Sequence, residues 1–443
     1  MNKKTMNLLE KAISQEKGVE TEAVYFGTKS ALTRFTLNRI HQNMARDDAE
    51  IQIRVIIDGR EGTFTTNQLT SDGLHQAFHA ARKIALSGPR CENFPGLPRG
   101  RKSIEFENIS PATLRCTPAK RAELVKKIIK AAKKAGTEAA GALSTRTSTL
   151  AVANSSGIRS YQKTTMAELN FVPSRGELSG YAYWAGADID ELPLAALAKE
   201  AVVAAAFPKK PVSLTPGAYR VVLSPYAAGN LLKLLALIGF GAKSYLEKRS
   251  FMVKKRGKPV ASEMITIYDD GRDPAGLPSS FDYEGVLKKK VYFIRKGIAA
   301  DLVHDSKTAA RAGVRNTGHA LPSPNVFGPF PGNLFVSPGK TPQGQLLKGI
   351  RRGIYITRFH YVNIVEPIET VMTGMTRDGT FLIENGEIAA PVRNLRFTQN
   401  ILEALKRVEA VGRERRILSG NSGTIFSPAM RIGKFQFTGV SEY

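Results

Sequence analysis

The stretch Ile51-Gln52-Ile53-Arg54-Val55-Ile56-Ile57-Asp58-Gly59-Arg60-Glu61-Gly62-Thr63-Phe64 reads as a β-hairpin, because Asp58-Gly59 is a two-residue turn signal between two β-rich runs. Upstream, alternation in Glu22-Ala23-Val24-Tyr25-Phe26 and in Leu32-Thr33-Arg34-Phe35-Thr36-Leu37 predicts two more strands. They follow a helix over 4–16, signalled by the spacing of Leu8, Leu9, Ala12 and Ile13. Downstream a helix over 72–86 is stopped by Ser87-Gly88-Pro89, and the Pro-, Gly- and Arg-rich segment 91–110 reads as a long surface connection. Thr117-Pro118 opens the next helix with a capping hydroxyl and a proline in the first turn; Leu124, Ile128, Ile129 and Ala132 carry it to Gly136. Its outer face is rich in lysine. Strands over 139–152 and 157–172 and an Ala-rich helix over 192–207 complete this half.

Pro208-Lys209-Lys210-Pro211 and Pro216-Gly217 mark the best domain boundary, and the chain of 443 residues is long enough for two cores. Beyond it the composition is more β-like and turn-rich, with helices expected over 225–238 and 398–410. No fixed-period repeat is present. Cys91 and Cys116 have no CxxC spacing and stand in polar, loop-like segments, which argues against a disulfide framework or a thiolate metal site and fits a reducing compartment. Glu10 and Lys11 interrupt the N-terminus before any leader-length apolar run, and the longest apolar run, 231–240, contains Lys233 and falls short of the roughly 20 residues of a spanning helix. The expectation is a soluble, cytoplasmic protein without membrane contact. Lys and Arg number 64 against 39 Asp and Glu, a formal charge of +25. Such a field attracts nucleic acid or an acidic partner in a salt-dependent way, yet the cations are spread along the chain without a recognition tract, so a generally basic surface is the simpler reading.

His75-Gln76-Ala77-Phe78-His79 has the i, i+4 spacing of a zinc-binding helix, but glutamine replaces the general base and no third ligand is nearby. Two surface or half-buried helix histidines are the simpler reading. His304, His319 and His360 are scattered. There is no GxSxG, no Walker loop, and Gly239-Phe240-Gly241 lacks the rest of a dinucleotide fingerprint.

The order of Pro278-Ser279-Ser280-Phe281-Asp282-Tyr283-Glu284-Gly285-Val286, Asn316-Thr317-Gly318-His319-Ala320, Arg352-Gly353-Ile354-Tyr355-Ile356-Thr357 and Ile383-Glu384-Asn385-Gly386-Glu387-Ile388 resembles the C-terminal domain of the TldD/PmbA family. Asn38-Arg39-Ile40-His41-Gln42, the hairpin and Phe94-Pro95-Gly96-Leu97-Pro98 extend the resemblance to nearly the whole chain. In catalytic members of that family a helix carries HExxxH, and its two histidines with a distant cysteine hold a metal. The similar helix here reads Gly229-Asn230-Leu231-Leu232-Lys233-Leu234-Leu235-Ala236-Leu237-Ile238-Gly239, which places Lys233 and Ile238 at the histidine positions and Leu234 at the glutamate; Ser422 falls at the cysteine.

The resemblance implies an α+β protein with an N-terminal α/β domain (1–214) and a β-rich, barrel-like C-terminal domain (215–443). It further implies a non-catalytic, metal-free subunit of a TldD/TldE-type metallopeptidase assembly acting on unfolded or short peptides, with no cofactor of its own and zinc only in a catalytic TldD-type partner. Two other readings stay open: a stand-alone homodimer that binds a peptide or small molecule, and a nucleic-acid or DNA-gyrase-associated modulator, which is less favoured. His319 and Asn325 are the expected cleft-lining residues, and a metal-free hydrolase using His319 and Lys233 is the remotest option.

Overall fold

The structure, a computed structural model, describes residues 3–91, 94–100, 103–420 and 423–441. Its first sheet has eight strands: β1 (Glu20–Thr36), β2 (Arg39–Ile57), β3 (Arg60–Thr66), β4 (Ile104–Asn108), β5 (Glu138–Asn154), β6 (Arg159–Arg175), β7 (Leu178–Ser179) and β8 (Ala182–Gly186). The order is β3-β2-β1-β5-β6-β4, antiparallel except for the β4–β6 pair, with β7 and β8 also on β6. Asp58 and Gly59 both have positive φ, 49° and 72°, as the hairpin turn requires.

Period-two alternation sends odd-numbered residues of these strands to one face. There Ala23, Ile51, Ile53, Val55 and Ala151 pack under helices α1 (Lys3–Ile13) and α2 (Ser71–Ser87). Further along the same face Phe35, Leu143, Leu169 and Phe171 pack under α4 (Pro118–Lys134) and α5 (Leu194–Ala205), with the short α3 (Pro111–Leu114) at the edge. Thr117 caps α4 by accepting the Lys120 N–H at 3.2 Å.

The second sheet has eleven strands: β9 (Gly217–Leu223), β10 (Ile267–Asp269), β11 (Val291–Arg295), β12 (Ile298–Ala299), β13 (Asn333–Val336), β14 (Arg352–Glu366), β15 (Val371–Glu384), β16 (Glu387–Pro391), β17 (Leu395–Asn400), β18 (Val408–Gly420) and β19 (Gly423–Val440). Strand β9 pairs with both β14 and β19, so β9-β14-β15-β17-β19 closes into a five-stranded barrel, and β13-β10-β11-β12 extends from β19. Helix α6 (Pro225–Gly239) lies on this sheet, and its Leu231, Leu232 and Leu235 share one buried cluster with Ile354, Phe397 and Phe435. Shorter helices α7 (Ala242–Leu246), α8 (Met252–Lys255), α9 (Ser306–Ala312) and α10 (Ile401–Lys406) fill the connections. Among the described residues no helix is long and apolar enough to cross a membrane.

Three expectations need correction. The strands expected at 22–26 and 32–37 are one continuous β1; residues 27–31 between them keep no apolar alternation because that part of the sheet is largely uncovered, and Leu37 lies in the turn with φ 48°. The connection 91–110 contains β4. The helix expected over 398–410 shrinks to α10: Thr398 belongs to β17, Asn400 caps the helix by accepting the Glu403 N–H at 2.9 Å, and residues from Val408 onward alternate in β18.

Candidate functional site

The even-numbered face of the first sheet meets the second domain, and the family landmark around Asp282 is the plug between them. Phe281 and half-buried Tyr283 pack on Val24, Val152 and Ile158. Gly285 approaches so closely that a Cβ there would lie 2.4 Å from Ile158 Cγ2, and its φ of 74° is one that side-chain-bearing residues rarely adopt. The Ser160 hydroxyl donates to the Gly285 carbonyl at 3.0 Å, and the Gln162 amide donates to Ser279 Oγ at 3.1 Å. The Asp282 carboxylate gathers its own loop by accepting from the N–H groups of Glu284 (3.0 Å), Val286 (2.9 Å) and Ala320 (2.8 Å).

Beside this plug lies a buried charge cluster. Arg54 Nη2 is 2.9 Å from Glu22 and 3.8 Å from Glu284 of the other domain, and all three side chains are less than a tenth exposed. Lys307 reaches across to Glu61 at 2.7 Å. Burial pushes the Glu22 carboxyl up to about 7 in spite of Arg54, with Glu284 adding to the rise. Burial and the same Glu284 push Asp282 up to about 8. Both groups therefore hold protons when folded over a range where they are ionised in the unfolded chain. Stability drawn from them falls as pH climbs from their ordinary values, near 4, toward 7–8. We expect the thermal midpoint to drop between pH 5.5 and pH 8.5, and Glu22→Gln to flatten that dependence; an unchanged slope would remove Glu22 from the account.

Further along the same sheet lies an open hollow of about 780 Å³ lined by the first-domain residues Phe26, Thr28, Ser30, Arg46, Arg146 and Ser148. Arg146 is the cross-strand neighbour of Met166, whose Sδ lies 3.7 Å from Ser419 Oγ at the end of β18. The seam is held by Tyr183: its hydroxyl donates to Glu168 at 2.8 Å and accepts the Ser419 N–H at 3.1 Å. Burial and the Glu168 carboxylate push this phenol well up, so it stays a donor. Tyr226 of α6 donates its hydroxyl to the Tyr183 carbonyl at 3.1 Å and takes a hydrogen bond from Arg416, which also binds Glu200 at 2.5 Å.

Helix α6 is aimed at this seam by its start. Ser224 Oγ accepts the N–H groups of Tyr226 (3.1 Å) and Ala227 (3.4 Å), and Pro225 occupies the first turn. Gly229 lets β18 come close, since a Cβ there would meet Leu418 at 3.1 Å. One turn on, Lys233 Nζ stands against Gly420, where a Cβ would lie 2.7 Å from it. Leu234 is half-buried against the barrel core and Ile238 is inside it. Ser422 lies outside the described residues. The structure thus brings Lys233 to Gly420 at the end of β18 and places Ile238 in packing.

The expected cleft residues are elsewhere. His319 is 1 % exposed, with its ring nitrogens 3.0 Å from Thr317 Oγ1 and 3.0 Å from Asp269 Oδ1, so it braces the core and lines no cleft. Asn325 closes its own loop by accepting from Phe327 N–H (2.9 Å) and donating to the Gly328 carbonyl (2.9 Å). His75 and His79 stack edge to face at 4.2 Å with His75 Nδ1 3.0 Å from Gln15 Oε1. Among the described residues no group of three or more His, Cys, Asp or Glu is arranged to hold a metal.

A closed barrel docked by a plug onto a helix-covered, largely antiparallel sheet defines a two-domain α+β architecture. Residues 216–439 match the PmbA/TldA metallopeptidase C-terminal domain and residues 21–85 match PmbA/TldA metallopeptidase domain 1, so the chain belongs to the TldD/PmbA family. A metalloprotease of Methanothermobacter thermautotrophicus is 28 % identical over 215 residues, covering 47 % of this chain and 45 % of that protein. A metalloprotease TldD homolog of Buchnera aphidicola subsp. Acyrthosiphon pisum is 28 % identical over 232 residues, covering 50 % and 46 %. The matched region spans about half the length of those relatives. The crystal structure of TldE from Thermococcus kodakarensis has the same fold, with a TM-score of 0.87 at 22 % identity over 98 % of this chain and 100 % of that one.

Proposed function

We propose that this chain is a non-catalytic subunit of a TldD/TldE-type metallopeptidase assembly, contributing the wall of a chamber that admits unfolded or short peptides. The observation that carries the reading is the helix at the seam. The register of the family resemblance puts an ammonium at Lys233 and alkyl groups at Leu234 and Ile238 where catalytic members have His, Glu and His. Neither an alkyl group nor a protonated amine offers a metal a lone pair, so this donor set does not fit zinc, and no step is routed through one. Any zinc would be the partner's.

A partner surface is available. Beyond Ile51, where β3 begins to pair, residues 39–50 of β2 have no strand on their outer side among the described residues, and Met44 is 53 % exposed. Such an edge is open to strand pairing with another subunit or with an extended peptide.

The test is to purify the chain alone and together with an HExxxH-bearing relative from the same source. Expected are less than stoichiometric zinc and no peptidase activity in the isolated chain, with co-purification and activity in the pair. Tight stoichiometric zinc and peptide cleavage by the chain alone would overturn the reading. Stable self-association with peptide binding and no second subunit would favour the homodimer reading, and salt-sensitive DNA retention would favour the nucleic-acid one.

A further inference from the structure

We propose that a cavity beside the interdomain linker, lined by Ser179, Asp378, Thr380 and the Glu177–Arg393 pair, binds a small zwitterion, either a free amino acid or a dipeptide. The proposal does not rest on the subunit reading above, since the site lies within this chain alone.

The cavity encloses about 220 Å³, and both domains supply its wall. Ser179 of β7 and Ala204 of α5 stand on one side; Asp378 and Thr380 of β15 and Arg393 of the β16–β17 connection stand on the other. Pockets for drug-sized ligands run to roughly 300–1,000 Å³, so this one suits a smaller molecule. Its inner wall offers acceptors. Ser179 Oγ donates to Asp378 Oδ1 at 2.7 Å and keeps its own lone pairs. Asp378 is 5 % exposed, and its Oδ2 accepts the Arg358 Nε–H at 2.6 Å, which leaves part of the carboxylate's acceptor capacity free. Arg358, the cation behind this wall, is spent on Asp378 and on the face of the Tyr181 ring. Thr380 is 3 % exposed, and its hydroxyl oxygen has no hydrogen-bond partner among the described residues, a deficit that a polar ligand relieves.

Glu177 and Arg393 form the mouth, because both also line an outer hollow of about 500 Å³ beside the linker. That hollow carries Arg175, Lys209, Lys210 and Arg393, with Glu177 as the one acid among its lining residues. Arg175 is committed to the carbonyls of Ala206 (2.8 Å) and Phe207 (3.2 Å), and Lys209 to that of Ala389 (2.8 Å), which leaves Lys210 and Arg393 for an incoming anion. The Glu177–Arg393 pair is long, at 3.4 Å, and its side chains are 63 % and 49 % exposed, so opening it costs little. A zwitterion exchanges this one weak pair for two. Its carboxylate takes the planar fork of Arg393, and its ammonium takes Glu177 with the acceptors of Ser179 and Asp378. The walls fix the orientation: the lining cations lie at the mouth and outside it, and the acceptors lie within. A ligand so placed touches both domains and resists their separation.

The experiment is titration calorimetry of the full chain with L-alanine, with L-alanyl-L-alanine, and with the N-acetyl derivative and the C-terminal amide of that dipeptide. Loss of either charge is expected to weaken binding of the dipeptide about tenfold. Arg393→Gln, at an exposed position, should bring the dipeptide and its amide within about twofold of each other, and Glu177→Gln should do the same for the dipeptide and its N-acetyl form. Thr380→Val should weaken all four ligands without loss of stability, because the hydroxyl has no partner to lose. Tighter binding of alanine assigns the occupant to a free amino acid and tighter binding of the dipeptide assigns it to a dipeptide; either result supports the site. Equal binding of the dipeptide and its amide, or a preference that survives Arg393→Gln, overturns the zwitterion clamp. Absence of binding by all four at about 10 mM overturns the site itself. The subunit reading, tested by zinc content and co-purification, stands or falls separately.

Discussion

Replacing Arg54 by methionine is expected to lower stability by about 3–5 kcal/mol, the cost of removing one partner from a buried ion pair. The reason is what remains. Glu22 and Glu284 come from different domains, are each less than a tenth exposed, and share the guanidinium as their cation. Without it Glu22 and Glu284 face one another in a water-poor seam with no cation between them. The loss should therefore be larger at pH 8.5, where Glu22 must surrender its proton, than at pH 5.5, where it is already protonated. A matched control is Lys29→Met, which removes the pair with Asp47. Those side chains are 72 % and 66 % exposed, and the cost should stay below about 1 kcal/mol. Urea unfolding followed by circular dichroism measures both. A loss for Arg54→Met no larger than that for Lys29→Met, at either pH, would mean that water reaches the cluster and that the seam is not held by it.

Much of the local structure was legible in the sequence because local chemistry determines it. The Asp58-Gly59 turn, the Thr117-Pro118 helix start and the helix over 225–238 each carry their own signal, and each forms where it was expected. What was not legible depends on partners far away in the chain. Strand β1 looked broken because Gly27–Ala31 has no continuous cover, yet its backbone pairs on both sides with β2 and β5. Strands β18 and β19 did not register as strands, and Ile401, Leu402, Leu405 and Val408 carry a helical spacing longer than the helix that forms. Barrel closure rests on β9 pairing with β19, some two hundred residues later, for which no local pattern exists.

The site divides in the same way. Lys233 is singled out by the register of a family motif, and its amine lies beside Gly420. The Glu22–Arg54–Glu284 cluster is not legible in the sequence, because single charges in alternating strands look like a solvated face. One signal was available. Arg54 interrupts the run Ile53-Arg54-Val55-Ile56-Ile57, where flanking residues of both parities are apolar, and a cation so placed needs a buried acid.

Asp269→Ala is expected to cost about 3–5 kcal/mol. Asp269 is buried in β10 and serves two groups: Oδ1 is 3.0 Å from His319 Nε2, and Oδ2 accepts the Asn333 N–H at 2.7 Å. The Asn333 side chain in turn accepts from Lys288 Nζ, and Asn333 is the residue of β13 paired with Thr424 of β19. Removing the carboxylate leaves an imidazole and a backbone N–H without acceptors in a site that water does not reach, and frees the strand that fixes both Lys288 and the start of β19. His319→Leu alone should cost less, because only one of the two Asp269 contacts is lost. The double variant should be less destabilised than the sum of the singles by roughly 1–3 kcal/mol, the coupling typical of residues in direct contact. Additive unfolding energies would show that His319 and Asp269 are not coupled.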